Sequence, residues 1–216
     1  AGLRTAQARE AAQPTPRVLL VGDSTAASAA QGFSAVAHGA YQLIPAGFVN
    51  GANSYCPLDI FLDAIRESNG AVHLHPPSPQ CDWLHWYSPL VRAYDPSVVI
   101  MMFSLWDAYP HHVAGRWLEV GTPEWTTELE TVARCAISEL GARGARIQVV
   151  LAPNVIEQPQ RGADKLDAAY QNVAAADPAR VGLIDDRGAI EAGGTGYRWD
   201  GIHYTPDGAQ VLAQAA

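Results

Sequence analysis

The chain has 216 residues, of which 48% are hydrophobic, enough to bury a core without metals or a dense disulfide framework. A formal net charge of −8 argues against nucleic acid or an anionic membrane surface as partner. The sequence has no apolar run of about 18 residues or more, so no segment reads as a transmembrane helix.

Residues 1–16 are alanine-rich, carry Arg and Gln, end Gln-Pro-Thr-Pro, and read as an extension or stiff linker ahead of one domain, 17–216. They lack the pattern of a signal peptide. A chain opening this way is expected to be a mature or trimmed product whose export signal or membrane domain lies elsewhere. Val18 to Val21 form a short apolar run of the kind found in buried parallel strands, broken by Gly22 and followed by an alanine-rich helix over Thr25 to Ala37. Ser24 therefore stands where a strand ends and a helix begins. Free backbone N–H groups at a helix start favour the negative charge that a serine attacking an ester must generate. Read by itself, the same junction is also what a helix capped by Asp23 or Ser24 looks like.

Tyr41 to Val49 supplies a second strand, weakened by Pro45 and Gly47, and an Asn-Gly turn follows. Leu58 to Gln80 is expected to hold a short helix over Asp59 to Glu67 and then a loop rich in His and Pro. His73 and His75 share one face of an extended segment near Cys81 and His85, but their spacing matches no standard zinc pattern, and neither a metal nor a cofactor is expected. Cys56 and Cys81 read as a disulfide closing this insertion, and Cys135, inside an apolar helix pattern, as a buried free thiol. One bridge is consistent with export.

Trp83 to Tyr94 reads as a helix ending before Asp95-Pro96, and Ser97 to Phe103 as a central strand. Tyr109 to Pro123 reads as an irregular insertion, either a packed loop or a substrate wall suited to a sugar ring. Glu124 to Leu140 is an amphipathic helix with Leu129, Val132, Ala133, Ala136, Ile137 and Leu140 at helical spacing. Arg146 to Ala152 is the fourth strand, Asp164 to Ala176 a helix, and Val181 to Ile184 the fifth strand. Glycine-rich chain over Arg187 to Gly196 then leads into Tyr197 to Gly208, which reads YRWDGIHYTPDG. Thr205 suits an N-cap and Pro206 the first helical position, which leaves Asp200 and His203 in the loop before the last helix. One loop can thus deliver a base and the carboxylate that orients it. Alternating strands and helices call for a parallel sheet covered on both faces.

Gly22-Asp23-Ser24 near the start and Asp200-Gly201-Ile202-His203 near the end together resemble the SGNH, or GDSL-type, hydrolase family. Ser54-Tyr-Cys-Pro-Leu58, Cys81-Asp82-Trp83 and Leu105-Trp106-Asp107 are similar to its members found alone or fused to membrane O-acyltransferase domains. The resemblance implies an α/β, flavodoxin-like three-layer sandwich with a five-stranded parallel sheet in the order 2-1-3-4-5. It implies Ser24 as nucleophile, His203 as base and Asp200 as its partner. The family's oxyanion glycine corresponds most nearly to Gly51, and the oxyanion or substrate pocket is expected to include it with Asn53 and Tyr55 of the same loop, Trp106, and Asp23 beside the nucleophile. The family's Gly-x-Asn-Asp is replaced by Ser104-Leu105-Trp106-Asp107, so Trp106 either donates its indole N–H, walls the pocket or simply packs.

The activity implied is that of a serine esterase or O-acyltransferase working through an acyl-serine. Its substrates would be short acyl esters of a glycan or glycosylated small molecule, and an upstream membrane acyltransferase domain is a possible partner. The implied location is extracytoplasmic or secreted. The alternative is a catalytically silent carbohydrate-binding or scaffolding domain.

Overall fold

The computed structural model describes residues 14–44, 56–67, 69–76, 79, 81–104, 106–153 and 162–216. Five parallel strands form the main sheet: β1 (Arg17–Gly22), β2 (Gln42–Ile44), β5 (Val98–Met102), β8 (Arg146–Val150) and β9 (Val181–Ile184). Their order is β2-β1-β5-β8-β9. Counted within that sheet alone this is 2-1-3-4-5, the order the resemblance implied.

The helices cover the sheet in two layers because its strands are apolar on both faces. Leu19 and Val21 of β1, with Val99 and Met101 of β5, face α2 (Trp83–Tyr94), α3 (Pro123–Leu140) and α4 (Ala163–Ala176). Val18 and Leu20, with Ile100 and Met102, face α1 (Ser24–Val36), α5 (Arg187–Gly193) and α6 (Pro206–Ala215). Period-2 alternation thus divides the core into two halves. The segment expected as glycine-rich chain over Arg187 to Gly196 contains α5 and a 3₁₀ turn, Gly194–Gly196. The second strand ends at Ile44, and residues 45–49 of its expected span lie outside the described residues.

Two further expectations are corrected. The helix placed over Asp59 to Glu67 is strand β3 (Leu62–Arg66), and Tyr109 to Pro123 is no irregular loop but a hairpin, β6 (His111–Val113) and β7 (Arg116–Leu118). With β4 (Val72–Leu74) they form a second, antiparallel sheet in the order β4-β3-β6-β7. The register of β3 on β6 shifts between Leu62 and Ala64. Both Ala64 and Ile65 are consequently buried, which erases the alternation that would mark a strand.

This second sheet is tied to the main fold by buried polar groups. The 3₁₀ turn after β5 (Trp106–Ala108) carries Asp107, which accepts from the N–H of Leu58 at 2.8 Å and of Asp59 at 2.9 Å. Asp59 in turn meets His111 Nδ1 at 3.0 Å, both side chains fully buried. The Trp83 indole donates to Leu58 O and the Trp125 indole to Tyr109 O. The Cys56–Cys81 bridge expected from the sequence is present. Cys135, expected to be buried, is exposed: on α3 it lies on the far side from the stripe formed by Leu129, Val132, Ala133, Ala136, Ile137 and Leu140.

The bridge spans 25 residues of sequence, for which loop entropy gives about 3 kcal/mol. Reduction should therefore lower Tm by about 6–12 °C in a thermal melt. Iodoacetamide applied to the folded, unreduced protein should modify one thiol, Cys135, and peptide mapping that finds it unmodified would contradict this exposure. A second prediction concerns pH. Burial pushes the Asp107 carboxyl up to about 7, against the pull of His111 and the two amides, and the Asp167 carboxyl up to about 6. Native protein thus holds protons that the unfolded chain releases near 4, so the contribution of these groups is greatest below about 4 and is lost as pH rises towards 7. Urea midpoints should fall between pH 5 and pH 8. Asp107→Asn should be less stable at pH 5, because one amide N–H loses its acceptor, yet show a shallower fall; a fall as steep as in the native protein would refute this account.

Candidate active site

Gly22 closes β1 where β5 comes so near that an added Cβ would lie 1.8 Å from Met102 O. With φ at +152°, glycine is also the residue its backbone favours. Asp23 follows as the N-cap of α1. Its fully buried carboxylate accepts from Thr25 N at 2.7 Å, Thr25 Oγ1 at 2.6 Å and Ser104 N at 3.1 Å. Burial raises its pKa in spite of those donors. Expected beside the substrate, the Asp23 side chain is instead turned inward, locking the strand–helix junction to the end of β5. Ser24 is the first residue of α1, where backbone N–H groups have no acceptor within the helix.

The other half of the site comes from the loop before α6. Thr205 caps α6 by accepting from Gly208 N at 3.2 Å, and Pro206 occupies the first turn, where its missing N–H costs nothing. An added Cβ on Gly208 would lie 2.1 Å from Tyr197 O, so the loop folds directly onto the helix it precedes. Asp200 Oδ1 accepts from Ile202 N at 2.9 Å and His203 N at 2.7 Å, while Oδ2 meets His203 Nδ1 at 2.6 Å. His203 Nε2 lies 2.7 Å from Ser24 Oγ across 179 residues of sequence. The structure therefore brings Ser24, His203 and Asp200 into one hydrogen-bonded line. Burial works to raise the Asp200 pKa, but the hydrogen bonds from His203 and Ile202 outweigh it and hold the carboxyl below its ordinary value. An ionised Asp200 can only accept, so Nδ1 carries the proton and Nε2 is left to accept from the serine hydroxyl.

Helix packing fixes this meeting. On α1, a Cβ at Gly32 would lie 2.1 Å from the Ala209 backbone on α6, so the helix that bears Ser24 and the helix that follows the His203 loop approach with no room for a side chain at Gly32. Ser28, one turn beyond Ser24, accepts from Tyr204 N at 3.1 Å.

Of the remaining expected residues, Gly51, Asn53 and Tyr55 lie outside the described residues. Trp106 packs on Leu62, Ile65 and Tyr109 of the second-sheet cluster, with ring neighbours His75 at 5.5 Å and His73 at 6.3 Å. Among the described residues no group of three or more His, Cys, Asp or Glu side chains is arranged to hold a metal ion. Nor is any described helix long and apolar enough to cross a membrane. Sequence reasoning missed Trp199, whose ring stacks on the His203 imidazole at 5.4 Å with 14° between planes while remaining 63% exposed. It also missed the buried Arg198, Asp186 and Tyr204 beneath the loop. Arg198 and Trp199 stand immediately before Asp200, so adjacency to the Asp-x-x-His block was the available signal; Asp186 carried none.

The family described as "Protein of unknown function (DUF459)" matches residues 62–216. No curated protein matches the chain. Among solved structures, the acetyl xylan esterase AlAXEase superposes with a TM-score of 0.59 at 17% identity, covering 92% of this chain and 96% of that one. A lipase/acylhydrolase from Enterococcus faecalis gives 0.55 at 18% identity, with 93% of each chain covered. A catalytic mutant of an acetylxylan esterase from Geobacillus stearothermophilus gives 0.53 at 15%, covering 93% and 91%. At such identities the likeness is one of fold. The chain belongs to the DUF459 family, and the fold it takes is that of the SGNH-type hydrolases.

Proposed function

We propose that the protein is a serine esterase or O-acyltransferase acting on short acyl esters, acetyl-like, of a glycan or glycosylated small molecule. One observation carries the reading: the line Asp200–His203–Ser24, with contacts of 2.6 and 2.7 Å and the serine at the start of a helix. His203 Nε2 takes the Ser24 proton as Oγ attacks the ester carbonyl, and Asp200 keeps the imidazole in the required tautomer and stabilises the imidazolium. The tetrahedral oxyanion forms beside the Ser24 N–H at the positive end of α1. His203 then returns the proton to the leaving alkoxide as the C–O bond breaks, leaving an acyl-Ser24 ester. Water, activated by the same imidazole, completes hydrolysis; a sugar hydroxyl in its place completes transfer. The acetyl specificity draws support from the acetyl xylan and acetyl esterases that share the fold. An extracytoplasmic location is supported by the Cys56–Cys81 bridge, since disulfides persist in oxidising compartments.

The test is mutational. Ser24→Ala should abolish turnover of a chromogenic acetate ester and covalent labelling by a fluorophosphonate probe while the circular dichroism spectrum is unchanged. His203→Ala should be as damaging, because nucleophile and base act as a unit. Asp200→Asn should lower kcat by about 10²–10⁴-fold. Full activity or labelling in Ser24→Ala would end the triad reading, and a native protein that neither turns over the ester nor takes the probe would leave the silent, carbohydrate-binding alternative standing. Near-normal activity in Asp200→Asn would reduce the site to a Ser–His pair.

The pH dependence follows from the same groups. The Asp200 carboxyl sits below its ordinary value and stays ionised throughout the working range, so loss of activity at low pH is expected from protonation of the base and not of its partner. Activity should rise with pH through one ionisation. A kcat/KM profile flat from pH 5 to 8 would contradict histidine as the base.

A further inference from the structure

We propose that Arg198 is a positioning residue that holds His203 at bonding distance from Ser24, acting on the residues to either side of the histidine. The inference rests on the hydrolase reading above and adds to it a group that does not touch the reacting atoms.

One guanidinium grips both chain neighbours of His203. Nη1 donates to the carbonyl of Ile202. Nη2 donates to the Tyr204 hydroxyl at 2.5 Å and approaches Asp186 Oδ2 at 3.4 Å. The guanidinium carbon lies 3.8 Å from the centre of the Tyr204 ring, so the cation also stacks on that residue's face. Tyr204 in turn donates its hydroxyl to Asp186 at 2.6 Å and its backbone N–H to Ser28 on α1 at 3.1 Å. A continuous path therefore leads from the helix that carries Ser24, through Ser28 and Tyr204, to Arg198, and back through Ile202 to His203.

Burial makes this arrangement informative. Arg198 is 7% exposed and Asp186 fully buried, and well-packed apolar residues could fill such a site at no loss of stability. Among the described residues, Asp186 Oδ1 has no hydrogen-bond partner, so the carboxylate is less than fully satisfied where it stands. A costly buried pair that grips both sides of a catalytic histidine is accounted for by what it positions. Arginine suits the task because its planar fork serves a carbonyl, a hydroxyl and a ring face at once, which a single ammonium cannot do. A displacement of about 1 Å between reacting groups can cost about 10²-fold in rate. The clamp acts on the base and not on the substrate, so its loss should appear in kcat.

The experiment uses three variants of the full chain, each assayed on a chromogenic acetate ester, with the concentrations of Arg198→Lys and Tyr204→Phe corrected by fluorophosphonate active-site titration. Arg198→Lys keeps a cation for Asp186 but loses the fork; kcat should fall about 10²-fold and the probe-labelling rate with it, while KM stays within about twofold. Tyr204→Phe keeps the ring and loses the hydroxyl; kcat should fall about 3–10-fold, again with KM preserved, and this variant decides the matter if Arg198→Lys does not fold. Ser24→Ala is the reference. If Ser24→Ala is inactive while the titrated Arg198→Lys and Tyr204→Phe enzymes turn over at the native kcat, the clamp is overturned and the hydrolase reading survives. A rise in KM at native kcat overturns it equally. If Ser24→Ala retains full activity, the hydrolase reading itself fails.

Discussion

The approach of α1 to α6 at Gly32 and Ala209 decides where Ser24 stands relative to His203. Each side chain is placed locally with care, the serine by the Gly22–Asp23 junction and the histidine by the hydrogen bonds of Asp200. Neither local device sets the distance between them. That distance depends on two helices packed backbone to backbone, where the space for even one methyl group is missing. The two halves of the core serve the site unequally. The half under α1, α5 and α6 carries the chemistry, and the larger half under α2, α3 and α4 supplies the stiffness of the sheet from which Ser24 projects.

The second sheet is the main addition to the five-stranded plan. Two insertions, after β2 and after β5, donate strands to each other, and Asp107 joins them to the main fold by holding the amides of Leu58 and Asp59. Its anchors are polar and buried, and one of them titrates near neutrality, so this part of the molecule responds to acidity in a way that an apolar seam would not.

Much of the architecture was legible because its signals are local. A four-residue apolar run, a glycine, and a capping Asp before an alanine-rich segment specify strand, turn and helix within a dozen positions. Thr205-Pro206 marks the start of the last helix in the same way. The second sheet was not legible for the opposite reason. β4, β6 and β7 have three residues each, β3 carries a bulge, and the β3–β6 pairing joins segments nearly fifty residues apart. Cys135 shows how a period can mislead: an apolar residue within an amphipathic helix still faces solvent when it falls off the stripe. The buried pair beneath the Asp-x-x-His loop was hidden in part. Arg198 lay in plain view, but Asp186 sits 12 residues earlier at the start of α5, and only the folded chain brings the two together.

The separation of 179 residues between Ser24 and His203 has a consequence for biosynthesis. During translation the serine leaves the ribosome long before the loop and helix that supply its base. Until α6 has emerged and docked on α1, the hydroxyl lacks the His203 acceptor, and it is as inert as any surface serine. The nascent chain is thus its own zymogen. The hydrogen-bonded line of Ser24, His203 and Asp200 waits on the docking of α6 against α1.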